Sequence, residues 1–173
     1  MKKFFSVAAT AALLLSSCAD KANNTYQVAG TAAWDGLEEG QQVVLINMSN
    51  RDTLGVSDIK EGKFEFNGSA DTASVVLAQV DRRHAVQFIL EPGVINVDIA
   101  NRTSAGTPLN DVLANFKSAV DSCETSEAYK EVLLNSYKQN EQNLVGQMIW
   151  GDMLYYLDYN EMVALLETAQ PAV

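Results

Sequence analysis

The hydrophobic period of this chain changes once, near Gly106, and that change constrains the fold more than any other feature. Upstream, apolar residues recur at every second position. Phe64 and Phe66 fall on one face of a run whose other face carries Lys63, Glu65 and Asn67. Ile95, Val97 and Ile99 oppose Asn96, Asp98 and Ala100 in the same way. Successive side chains of a strand point to opposite faces, so this spacing predicts half-buried β-strands. Turn signals separate the runs: Trp34-Asp35-Gly36, Lys60-Glu61-Gly62-Lys63, Asn67-Gly68 and Glu91-Pro92-Gly93. Strands are expected near residues 26–31, 42–48, 53–59, 63–67, 74–80, 85–91 and 94–100. About seven short strands at roughly ten-residue spacing predict an antiparallel sandwich or barrel over residues 26–103.

Downstream, the period becomes helical. Thr107-Pro108 reads as an N-cap followed by proline in the first turn. Leu109, Val112, Leu113, Phe116 and Val120 then share one helical face. Residues 126–139 repeat the pattern through Tyr129, Val132, Leu133 and Tyr137, and residues 144–157 form a third helix candidate. Asn160 is expected to cap a last helix that ends before Pro171. Residues 104–170 therefore read as a helical segment. The chain is α+β overall, with a mainly β N-terminal half. The third helix has almost no polar side. Burial by its amphipathic neighbours is the simpler account, and a partner-docking surface formed by Met148, Trp150, Met153, Tyr155, Tyr156 and Tyr159 is the alternative.

The N-terminus has its own logic. Lys2 and Lys3 precede an apolar run, Val7 to Leu15, that is too short to span a bilayer. Small residues and Cys18 follow. A basic segment, a short apolar segment and a small-residue cleavage zone predict a secretory signal peptide over residues 1–17. Leu15-Ser16-Ser17-Cys18 also resembles the lipobox of bacterial lipoproteins. That resemblance implies cleavage before Cys18 and acylation of its thiol, with residues 18–25 as a lipidated tether. Two or more acyl chains are what stable anchoring requires. The expected location is the cell envelope, lipid-anchored to a membrane and facing the periplasm or the cell surface.

The chain has 22 acidic and 12 basic residues, a formal charge of −10. Nucleic acid and anionic lipid surfaces would repel it, so no nucleic-acid partner is expected. With Cys18 acylated, Cys123 has no partner in the chain, and its acidic neighbours Asp121 and Glu124 favour an unreactive thiol. The lone histidine, His84, lies beside Arg82 and Arg83 in what reads as a solvated hairpin turn. There is no CxxC, GxSxG, P-loop or dinucleotide fingerprint, so neither a catalytic site, a metal site nor a cofactor is expected. Trp34 and Asp35 form a possible ligand loop, although an ordinary tryptophan covering a sheet end explains Trp34 as well. Thr53 and Thr72 sit in Asp-Thr-Leu and Asp-Thr-Ala, which are similar to the short O-glycosylation motif of some Gram-negative envelope proteins.

The ordered set Tyr26-Gln27-Val28-Ala29-Gly30, Gln42-Val43-Val44-Leu45, Gly62 to Gly68, Phe88-Ile89-Leu90-Glu91-Pro92-Gly93 and Gly106-Thr107-Pro108-Leu109-Asn110-Asp111 carries a wider resemblance. It resembles an uncharacterised β-sandwich domain at the N-terminus of envelope lipoproteins. In those proteins a helical segment and a thioredoxin-like thiol–disulfide oxidoreductase domain usually follow. The resemblance implies that Pro171-Ala172-Val173 begins a linker, and that a full-length protein would act in cell redox homeostasis. It implies no catalytic residue here, because the CxxC lies in the domain this chain lacks. The expected role is a membrane-anchored, non-catalytic module that positions a redox domain or another envelope protein. A stand-alone lipoprotein that binds a glycan, peptide or hydrophobic ligand is the alternative.

Overall fold

The computed structural model describes residues 24–168, so the proposed leader, Cys18 and residues 171–173 lie outside the described residues. Eight strands precede four helices: β1 Thr25–Thr31, β2 Gln42–Asn47, β3 Thr53–Asp58, β4 Lys63–Ser69, β5 Ser74–Gln79, β6 Ala85–Leu90, β7 Gly93–Asp98, β8 Thr103–Ala105, α1 Pro108–Asp121, α2 Ser126–Asn140, α3 Leu144–Met153 and α4 Tyr159–Thr168. The strands form two four-stranded sheets, β4-β1-β7-β8 and β3-β2-β5-β6, and neither closes into a barrel. All pairings are antiparallel except β1 with β7. The short β8, not foreseen from period-two patterning, carries the sheet past residue 103 to Ala105.

The alternation read from sequence is the alternation that packs. Val28 lies opposite Phe66 on β4 and Ile95 on β7, and all three are buried between the sheets. Val43, Leu45, Val76, Ala78 and Phe88 meet them from the other sheet. Gly30 is required by a close approach. The Phe64 ring lies flat over it, and a Cβ there would come within 2.0 Å of ring carbon.

Strand β6 is the exception to alternation, because it is buried on both faces. Phe88 belongs to the core between the sheets, while the adjacent Ile89 belongs to a second core with Leu133, Val145, Ile149, Met153, Leu157 and Leu165. The helical segment thus packs on the outer side of the second sheet. Half-buried Leu113 and Phe116 of α1 complete that layer.

Helix ends differ from expectation in three places. Thr107 occupies the N-cap position of α1, but its side chain caps no backbone N–H. Its Oγ1 instead accepts from Asn110 Nδ2 at 2.8 Å. The third helix ends at Met153 rather than Leu157. A tight turn there, with Tyr156 and Leu157 N–H donating to Met153 O, keeps both Met153 and Leu157 in the core. The last helix is capped by Asp158, not Asn160. Asp158 Oδ1 accepts from Glu161 N–H and Glu161 Oε2 accepts from Asp158 N–H, each at 2.9 Å, a reciprocal capping box. No helix among the described residues is long and apolar enough to cross a membrane.

Candidate functional site

The best-built polar site joins the sandwich to the helices. As an edge strand, β6 would leave unpaired backbone groups facing α1. Asn110, fully buried, fills that role: its Oδ1 accepts from Ile89 N–H at 3.1 Å and its Nδ2 donates to Ile89 O at 2.7 Å. The side-chain amide pairs with the strand as a neighbouring peptide would. Glu91, 8% exposed, closes the other half of the junction. Its Oε1 accepts from Leu109 N–H at 2.8 Å and Asn110 N–H at 3.4 Å, so a carboxylate sits on the first turn of α1. Gly106 enters this turn at φ 102°, where a Cβ would meet Val94 O at 2.6 Å. The Glu91-Pro92-Gly93 and Gly106-Thr107-Pro108-Leu109-Asn110 stretches are separate in the chain, and only contact across the fold pairs them.

The six candidate docking residues do not share one surface. Met153 is fully buried, and Met148 and Trp150 are half-buried, with Trp150 against Tyr137 at 5.4 Å between ring centres. Tyr155 at 87%, Tyr159 at 75% and Tyr156 at 43% are exposed. Leu154 and Leu166 are exposed as well, which concentrates exposed apolar side chains around the α3–α4 turn and the helix that follows. The expectation of a helix enclosed on all sides fails here, because the aromatics that crowd it in sequence lie on the turn. Lys130 Nζ holds both carboxylate oxygens of Glu161, tying α2 to α4, and that contact lowers the Glu161 pKa.

Trp34 is half-buried and stacked on His84, with 3.9 Å between ring centres and 5° between planes. One face of the indole is therefore taken. The expected solvated hairpin turn is the β5–β6 connection, with residues 81–83 exposed, but His84 itself is half-buried. Its Nδ1 lies 2.9 Å from Asp81 Oδ2, an acidic partner the flanking arginines had obscured. Hydrogen bonds from the His84 side chain, then from the His84 and Arg83 backbone N–H groups, lower the Asp81 pKa to about 2. Asp35 is exposed and outside this stack.

Thr53 opens β3 and Thr72 lies in the β4–β5 connection, both exposed. Cys123 is half-buried and its Sγ donates to Ala119 O at 3.2 Å. A groove of about 810 Å³ lies where β3 meets β4 and β1, with Gln27, Lys60, Lys63, Glu65 and Asn96 along it. Hydrogen bonds from Asn67, then Gln27, lower the Glu65 pKa there. Among the described residues, no three His, Cys, Asp or Glu side chains are grouped to hold a metal.

Two stacked sheets with a helical layer latched to one edge strand define the class. Residues 26–113 match the family model for a domain of unknown function, DUF4369, and the chain belongs to that family. The matched span runs through the first turns of α1, so it includes Glu91, Thr107 and Asn110. Nothing matches among curated proteins or among solved structures.

Proposed function

We propose that this chain is a non-catalytic, membrane-anchored module that positions an envelope partner, held to the membrane by lipid on Cys18. The partner this reading favours is a thioredoxin-like redox domain in the same or another protein. The observation that carries it is the clustering of exposed apolar side chains. Five of the eight exposed large hydrophobics among the described residues fall between Leu154 and Leu166. An apolar patch of that kind marks an interaction surface more often than a random one. The rigid latch at Asn110 and Glu91 supports it, since a docking surface must be held relative to its anchor.

Two experiments test the two halves. Fatty-acid labelling in the host should mark the wild-type chain and not Cys18→Ala; a labelled alanine variant removes the anchor. Photo-crosslinkers at Tyr155 and Tyr159 should trap one partner that a crosslinker at Leu54 on β3 does not. Equal trapping from both faces removes the docking role. The second reading, a stand-alone ligand-binding lipoprotein, has the polar groove beside Lys63 in its favour. Glycan-array binding abolished by Lys63→Ala would select it.

A further inference from the structure

Three polar side chains, Ser104, Arg102 and Asp152, line one small cavity at the seam between sandwich and helices, and two of them, Ser104 and Asp152, have no side-chain partner among the described residues. The cavity, about 200 Å³, is walled by Leu113, Phe116 and Val120 of α1 and Met148 of α3. Ser104 of β8 also lines it, is 4% exposed, and its Oγ has no hydrogen-bond partner among the described residues. Ser104 pairs with the core residue Val97, so the pleat turns its side chain to the inner face of the sheet. At that edge β8 packs against α1.

The other two groups carry opposite charge and come from different elements. Arg102, on the sandwich side, donates from Nη2 to Arg83 O at 3.0 Å and has no carboxylate in ion-pair range among the described residues. Asp152, on α3, has neither a cation nor a hydrogen-bond donor on its carboxylate among the described residues. Partial enclosure of that carboxyl raises its pKa, although the residue as a whole is exposed. The remaining charges, Lys117 and Asp121, satisfy each other at 2.8 Å.

We propose that this cavity binds a small zwitterion with an apolar body, an α-amino acid with an aliphatic or thioether side chain. Its ammonium pairs with Asp152 and its carboxylate with Arg102, accepting also from Ser104 Oγ–H. Its side chain lies against Phe116 and Met148. An anion alone would leave Asp152 facing it, and a cation alone would leave Arg102. A zwitterion neutralises both without adding charge to the seam. The volume is below the roughly 300 Å³ at which pockets for drug-sized ligands begin, which suits a single amino acid.

The test is an amide-resolved NMR titration of the full, ¹⁵N-labelled chain with L-leucine and L-methionine. Leucinamide and N-acetyl-leucine, each lacking one charge, are the comparison ligands. Expected are saturable shifts at residues 102–104 and 148–152, with either blocked analogue at least about tenfold weaker, since charged hydrogen bonds carry that much. Arg102→Gln and Asp152→Asn should each weaken leucine by a similar factor. Ser104→Ala should weaken it while leaving the melting temperature unchanged or raised, because a buried hydroxyl without a partner is removed. No shift at about 10 mM leucine overturns the proposal. Equal binding of the blocked analogues also overturns it, by reducing the cavity to an apolar slot. That comparison uses the wild-type chain and decides the matter even if a variant fails to fold.

Discussion

Replacing Asn110 with alanine should loosen the whole helical layer. Asn110 is fully buried and its amide satisfies both Ile89 N–H and Ile89 O, at 3.1 and 2.7 Å. Truncation orphans both groups, and Thr107 Oγ1 loses its donor. A buried polar group without a partner costs about 1–3 kcal/mol, and two backbone groups are left, so the loss is about 3–4 kcal/mol. For a domain of this size that lowers the melting temperature by roughly 6–16 °C. Urea denaturation of the full chain reads the loss, and hydrogen exchange at the Ile89 amide reads its place. Exchange there should accelerate before exchange in β1, which lies in the other sheet. Asn110→Asp keeps the acceptor for Ile89 N–H but sets a second carboxyl beside Glu91, and should be no milder. A loss under about 1 kcal/mol with Ile89 exchange unchanged would refute the reasoning, since water would then be replacing the amide at no cost.

The remaining predictions address separate parts of the fold. Gly30→Ala places a Cβ 2.0 Å from the Phe64 ring and should cost about 1–3 kcal/mol by overpacking, with partial rescue by Phe64→Leu in the same chain, read by urea midpoints. Asp81 titrates near 2 against an ordinary value of 3.8, so its bond to His84 stabilises the fold above pH 3.8 and that contribution is lost as pH falls towards 2. His84→Ala should return the Asp81 carboxyl towards 3.8, measured by carboxyl NMR; an unmoved value would assign the shift to the backbone N–H groups alone. Tyr155→Ser with Tyr159→Ser should leave stability within about 0.5 kcal/mol, because both rings are largely in solvent, and a larger loss would mean that they pack.

Much of the sandwich was legible because strand periodicity is a local property. Phe64, Phe66, Ile95, Val97 and Ile99 point inward for the same reason they alternate: a pleat with one buried face selects apolar residues at every second position. The third helix misled for a related reason. Composition registers that Met153, Tyr155, Tyr156 and Tyr159 are apolar or aromatic, but not that a turn after Met153 sends the tyrosines outward. Trp34 and His84 lie far apart in the chain and stack only because the β1–β2 loop reaches the β5–β6 turn. No local rule joins them.

By itself, then, the sequence determined the broad architecture: a period-two half, a helical half, most of the turns between strands, and the faces that β4 and β7 bury. These follow from chain stereochemistry and water's exclusion of apolar groups, which act residue by residue. Tertiary structure alone decided the β1–β7 parallel pairing, the double burial of β6, the amide of Asn110 completing that strand's edge, and the meeting of Arg102, Ser104 and Asp152 around one cavity. Each brings together residues from separate elements. Their complementarity is one of distance and direction, which spacing along the chain does not encode.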